Sequence, residues 1–360
     1  FRRYLILNFG GCLTAMENMV SFFVYNASKF TSSPEALMHT LRSDINYTVT
    51  GLILYTLLRY GVFALESLVY RAWVWMTVSN SIARSHRLAE LETAALQSGV
   101  SSIAAVLLGV VFLHFYFRKT ISPAILRQKK QSMLPKSFLL LTCIFMGAQL
   151  IYSLFGNLLE FSLRALGYTA MEQLTVASAQ STTVSMFLYT AIFAPLGEEL
   201  IYRGFILRRF QKYGNVFAIF FSALLFGVMH GNLFQIPFAF LTGLVLGYTA
   251  VEFSLVWSIL LHIINNFLFG EALEWLMQYF PATVQDYLHR GINIFFFAFS
   301  AFWLLRHREQ LKAYFEKNGC SRKTCGSALT AIAMLVFLIG NFGLALSGGE
   351  QQMLAMGRAM

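Results

Sequence analysis

The sequence predicts an all-α, polytopic transmembrane helix bundle of about eight spans. Three observations carry that prediction. Of 360 residues, 57% are hydrophobic and only 12% are charged, against about 45–50% apolar and about 25% charged in soluble domains. Apolar runs of close to the roughly 20 residues that a helix needs to cross a bilayer recur along the chain. No strand-type alternation is sustained, which argues against a β-barrel. The 16% aromatic content and mean hydropathy of +0.60 fit the same class and exclude disorder.

Taken in order, the candidate spans are 4–25, part of 48–78, 100–117, 137–156, 182–202, 216–231, 234–250, 254–270, 291–305 and 325–346. Residues 4–25 are too long, and carry Glu17, to be a cleavable signal peptide. The chain opens at Phe1 without an initiator Met, as a fragment would. Segment 48–78 holds Arg59, Glu66 and Arg71, and the amphipathic stretch 81–97 fits a helix lying at the membrane interface. Residues 157–181 read as a polar outer connection. Four cysteines, Cys12, Cys143, Cys320 and Cys325, are too few for a disulfide framework and read as reduced thiols.

The net charge of +10 reports topology more than binding. Basic residues crowd 118–136, follow 182–202 as Arg203, Arg208, Arg209 and Lys212, and follow 291–305. By the positive-inside rule these three loops are cytoplasmic. A nucleic-acid reader would gather its cations on one solvated face, so no nucleic-acid partner is expected. The expected partners are the lipid bilayer and a peptide or protein substrate.

Ionisable groups inside apolar helices cost about 2.5–3.5 kcal/mol each at mid-helix and are functional by default. Three places concentrate them. The first is Ala194-Pro195-Leu196-Gly197-Glu198-Glu199-Leu200-Ile201-Tyr202-Arg203. Glu199 and Arg203 are four apart, share a helix face and stand in the favourable order, acid before base. Glu198 lies about 100° round the helix from Glu199 and lacks that partner. Pro195 frees a backbone carbonyl and predicts a kink. The second place is Phe226-Gly227-Val228-Met229-His230, and the third is His262-Ile263-Ile264-Asn265-Asn266, where His262 and Asn266 share a face. Each has a bland reading: a helix end in headgroup water, an interfacial His, or interhelical glue. Together, a carboxylate, two His and an Asn describe a converging site.

Such a set can activate water and stabilise an oxyanion, or hold a metal ion that acidifies water. The sequence has no HExxH for a zincin and no GxSxG elbow, and its only two Asp, Asp44 and Asp286, read as loop residues. A transporter relaying protons through Glu198 is a rival, but no inverted halves with paired broken helices are evident.

These motifs, in this order, resemble the CAAX prenyl endopeptidase type II family, also called the Abi or CPBP intramembrane proteases. The family pattern EExxxR, FxxxH, HxxxN is met by Glu198-Glu199 with Arg203, Phe226 with His230, and His262 with Asn266. The resemblance covers about residues 137–270, a stretch long enough for several spans. It implies that Glu198 is the general base working with His230 on water, that His262 and Asn266 hold the oxyanion, and that Glu199 and Arg203 orient the helix and the substrate's terminal carboxylate. It implies prenylated-type C-termini or small leader or bacteriocin-type peptides as substrates. A bacterial plasma membrane follows, with the active site near the cytoplasmic side. The family's metalloprotease label would make zinc a cofactor. Asn is a poor zinc ligand, so the expectation here is chemistry without a resident metal. A non-catalytic bacteriocin self-immunity protein or scaffold is the other function that the resemblance allows.

Four regions result: 1–136, membrane segments without a motif; 137–305, the protease core; 306–346, a basic loop and last span; and 347–360, a tail. The tail, entered at Leu346-Ser347-Gly348-Gly349-Glu350-Gln351-Gln352, is similar to the signature segment of ABC-transporter ATPases. The chain has no GxxxxGK[ST] to cradle phosphates, so the tail is assigned no activity.

Overall fold

The computed structural model describes residues 34–118, 122–167, 181–319, 328 and 330–346. Segment 4–25 with Cys12 and Glu17, the 168–180 part of the outer connection, Cys320, Cys325 and the 347–360 tail lie outside the described residues. The described residues form an all-α polytopic bundle without a strand. Its helices are α1 (Pro34–Thr77), α2 (Ser81–Gln97), α3 (Val100–Phe117), α4 (Pro135–Ala165), α5 (Val184–Tyr213), α6 (Asn215–Met229), α7 (Gln235–Glu252), α8 (Leu255–Met277), α9 (Ala282–Arg306), α10 (Arg308–Asn318) and α11 (Ile332–Leu346). Six of them, α1, α3, α4, α5, α8 and α9, are long and apolar enough to cross a membrane, and α6 and part of α11 are shorter apolar helices.

Several expected boundaries move. Nothing breaks the chain between Pro34 and Thr77, so α1 runs 44 residues instead of a span within 48–78. Helix α4 continues through 157–165, where a polar connection is expected; an ion pair between Arg164 Nε and Glu160 Oε1 at 2.7 Å supports its last turn. Residues 203–212 are helix, not loop, and Arg203 and Arg208 among them are buried. Arg208 donates to the Ala250 carbonyl at 2.7 Å and the Gln128 carbonyl at 3.1 Å, tying α5 to the end of α7. Part of the expected 306–324 loop is helix α10. Asp44 and Asp286, read as loop residues, sit in α1 and α9. The amphipathic 81–97 helix does form as α2, with Asn80 Oδ1 accepting from the amides of Ile82 and Ala83, and it buries no residue. Cys143 is a free thiol.

Helices α6 and α7 form the tightest pair, and α7 also packs on α4 and α8. Small residues on α7 make this close approach workable. A Cβ on Gly243 would stand 3.1 Å from Ala223 Cβ and 3.1 Å from Arg203 Nη2, and Gly247 lies one turn on, in the G-x-x-x-G spacing of membrane helix pairs. The abundant phenylalanines fill the seam between α5 and α6: Phe210 meets Phe221 at 4.8 Å and Phe217 stacks on Phe221 at 5.5 Å. Helix α3 and α11 lie on α1, and α9 lies on α4. Helix α9 buries only Ser300, leaving an apolar surface suited to lipid.

Two ionic knots close one end of the bundle. Asp44 on α1 accepts from Arg209 Nη2 at 2.7 Å, Lys212 Nζ at 2.5 Å and Tyr213 Oη at 2.8 Å. Glu252 accepts from Lys130 Nζ at 2.6 Å and from Tyr314 Oη at 2.9 Å, joining the 122–134 segment, α7 and α10. Burial and the neighbouring Glu252 carboxylate push the Tyr314 phenol well above its ordinary range.

Candidate active site

The site is built on α5, whose winding is irregular where the acids sit. Thr183 caps its start, accepting from the Met186 amide at 3.2 Å. Pro195 has no N–H, so a regular helix would lose a bond at that point. The chain absorbs this in a wide π-turn at Tyr189–Phe193, where the Ala194 amide reaches back to the Tyr189 carbonyl. A second π-helical stretch, Leu200–Leu207, follows the acids. The expected kink therefore takes the form of two locally widened turns, a device often found at functional sites. Glu198 and Glu199 lie on the short α-helical segment between them, and both are buried.

The two adjacent acids have opposite surroundings. Both oxygens of Glu199 are hydrogen-bonded. Its Oε1 accepts from Arg203 Nη1 at 2.8 Å and from His262 Nδ1 at 3.0 Å, and its Oε2 accepts from Ser258 Oγ at 2.5 Å. The i,i+4 pair read from the sequence is thus present, with both side chains 0% exposed. Arg203 also donates to the Gly243 carbonyl at 3.2 Å, and its guanidinium lies 4.3 Å from the centre of the Phe226 ring. The guanidinium is enclosed, 0% exposed and bonded to both Glu199 and α7. Glu198 Oε2, by contrast, is buried and has no hydrogen-bond partner among the described residues. It faces His262 Nε2 across 3.7 Å.

His230 arrives from the end of α6. That helix stops at Met229, and Gly231 at φ 58° provides the left-handed turn that ends it. Asn232 Oδ1 then accepts from the Phe234 amide at 2.9 Å and starts the next element. One bond that orients the His230 ring is donated by Nδ1 to the Phe226 carbonyl at 2.7 Å. A carbonyl can only accept, so Nδ1 carries a proton, and in the neutral ring Nε2 is then an acceptor.

Phe226 is the common platform. Its ring meets His230 edge-on at 4.9 Å, His262 at 5.9 Å and Tyr202 at 5.2 Å, and takes the Arg203 cation on its face. The motif Phe thus seats four site groups at fixed angles. The sixth residue expected, Asn266, stands one turn beyond His262. One of its amide hydrogens goes to the Thr190 carbonyl in the first π-turn at 3.0 Å, and Asn265 Nδ2 donates to its Oδ1 at 2.9 Å. Asn266 is therefore anchored to α5 two turns before Glu198, without a direct bond to the other five.

Ser258 is the residue that sequence reading missed. It lies four before His262, so Ser258, His262 and Asn266 form a polar ridge at i, i+4 and i+8, a pattern visible in the sequence. Arg59 on α1 is the other omission. It is 2% exposed and donates to Tyr189 Oη at 3.4 Å.

A resident metal finds no cage here. Among the described residues no three His, Cys, Asp or Glu side chains are grouped to hold an ion, and Glu199 and His262 Nδ1 are already bonded to each other. As grouped among the described residues, these side chains do not fit a zinc site. No curated protein and no solved structure gave a match to the chain. The stretch that does match is the one containing this centre. Residues 180–268 fit the family model described as type II CAAX prenyl endopeptidase, Rce1-like; with six helices among the described residues apolar and long enough to cross a bilayer, the chain is an integral membrane protein in which that stretch is similar to the CAAX prenyl endopeptidase family.

Proposed function

We propose that the protein is a glutamate-dependent intramembrane endopeptidase, with Glu198 and His230 activating water and His262 and Asn266 receiving the oxyanion. The observation that carries this reading is the contrast between the acids: Glu199 has three bonds, while Glu198 Oε2 is buried, unbonded and 3.7 Å from His262 Nε2. Evolved interiors rarely leave a buried carboxylate oxygen unmet unless a reactant meets it.

The steps follow from donor and acceptor capacities. Glu198 Oε2 and His230 Nε2 are both acceptors, so a water molecule can direct one hydrogen to each and its lone pair to a carbonyl carbon. As the O–C bond forms, Glu198 takes the water proton and the carbonyl π pair moves to oxygen. His262 already donates Nδ1–H to Glu199; donation from Nε2 to the oxyanion uses the doubly protonated ring, whose charge Glu199 offsets. Asn266 has a second amide hydrogen beyond the one on Thr190. When the C–N bond breaks, Glu198 returns the proton to the leaving amine.

The substrate in this reading is a peptide bond close to a prenylated-type C-terminus or in a small leader-bearing peptide. Entry is from the end carrying Arg209, Lys212, Lys130 and Lys317, taken as the cytoplasmic face of a bacterial plasma membrane. The test is cleavage of prenylated and unprenylated C-terminal peptides by the wild type and by Glu198→Ala in vesicles. Wild-type cleavage that the variant lacks is expected, and it persists when divalent metal is depleted by a chelator. Equal cleavage by both proteins overturns the mechanism; loss on chelation overturns its metal-free form.

A further inference from the structure

The buried centre contains two adjacent carboxylates, and only one has its cation nearby in sequence. Arg203 is bonded to Glu199 at 2.8 Å, so its one charge is shared between the two acids. Burying a second carboxylate beside the first without a compensating charge costs several kcal/mol.

The inner stripe of α1 runs Leu41, Ile45, Val49, Leu52, Tyr55 and ends at Arg59, all nearly inaccessible. Beyond Arg59 only Val74 of this helix is buried. The last inward-facing residues of the stripe therefore meet the catalytic centre. Thr56 Oγ1 contacts Met229 Sδ at 3.6 Å, one residue before His230. Arg59 donates to Tyr189 Oη on the first π-turn of α5 and lies 5.6 Å from the Tyr55 ring centre. The site phenols Tyr55, Tyr189 and Tyr202 surround its guanidinium, and of the two buried cations that act on Glu198, Arg203 is the stronger and Arg59 the second. Tyr202 Oη is buried and, like Glu198 Oε2, has no hydrogen-bond partner among the described residues.

We propose that Arg59 is the second counter-charge of Glu198, beside Arg203: a positioning residue, supplied by the first helix, that favours the charged form of the catalytic carboxylate inside the bundle. The centre then contains two carboxylates and two guanidiniums, with Arg203 bonded to Glu199 and shared with Glu198, and Arg59 completing the balance of charge. The first helix thereby becomes part of the active site although it carries no family motif. The kinetic part of this inference rests on the peptidase reading; the charge pairing does not.

A thermal double-mutant cycle tests the pairing without substrate. Arg59→Met, Glu198→Gln and the double variant are compared with wild type in detergent or nanodiscs, following the unfolding midpoint. The midpoint loss caused by Arg59→Met is expected to shrink to less than half in the Glu198→Gln background, because no charge then remains to be balanced. Equal losses in both backgrounds overturn the proposal. Recovery of folded Arg59→Met only in the Glu198→Gln background supports it, and failure to fold in both overturns it. The kinetic arm uses Arg59→Lys and Arg59→Gln. Lys is expected to hold kcat within about tenfold, while Gln lowers kcat by about a hundredfold or more with KM changed by less than about threefold. Equal kcat for Lys and Gln overturns the charge role. If no peptide is cleaved by the wild type, the peptidase reading fails while the thermal cycle still decides the pairing.

Discussion

The same ionic chemistry occurs in two regions of this bundle, and the surroundings decide what it does. At the rim, Asp44 collects Arg209, Lys212 and Tyr213, and the Lys212 side chain is 55% exposed. In the centre, Glu199 collects Arg203, Ser258 and His262, and neither Glu199 nor Arg203 has any exposed surface. Both acids have three partners. Water can replace a partner lost at the rim, and nothing can replace one lost in the centre. The rim knot joins helices, whereas the central knot fixes the segment that holds the neighbouring, unbonded Glu198 oxygen.

The largest expected effect comes from removing the cation of the central knot. Arg203→Met leaves Glu199 buried and uncompensated, and should cost about 3–5 kcal/mol, read as a fall in the unfolding midpoint with loss of cleavage. A change below about 1 kcal/mol would mean that the centre is as forgiving as the rim. Ser258→Ala comes next. It removes one bond to a buried charged group, worth about 1.5–3 kcal/mol, and frees Glu199 to rotate, so cleavage should fall with stability. Unchanged activity in a destabilised Ser258→Ala protein would separate the knot from catalysis. At the rim, Asp44→Asn should cost about 1 kcal/mol, and high salt should erase most of the difference from wild type. Smallest is Glu92→Gln, which breaks an exposed pair between Arg71 and Glu92 at 2.7 Å; at most about 0.5 kcal/mol is expected in the same denaturation assay.

What could be read from the sequence followed this division. Interactions that repeat along one helix were legible: the Glu199–Arg203 pair obeys the helical period, and span 100–117 is helix α3 to the residue. Ser258 obeys the same period relative to His262, but a lone Ser in an apolar run gave no reason to single it out. Contacts between distant helices were not legible. Asp44 reads as a loop residue because an acid interrupts an apolar pattern, and its partners lie 165 to 169 positions away. Arg203 and Arg208 read as topology markers, yet both are buried ties, since a positive-inside count registers a residue's charge and not the direction of its side chain. Arg59 was conspicuous for the same reason as Glu198, a charge in an apolar helix, but its helix carried no motif to attach it to.

The Asp44 knot bears on what can be cut out or transplanted. The segment that fits the family model, 180–268, contains Arg209, Lys212 and Tyr213 but not the acid that binds all three. The unit recognisable by descent is therefore smaller than the unit that stands up mechanically. A chimera that carries only 180–268 leaves two cations and a phenol without their anchor. One that brings α1 with it moves α5 together with its brace.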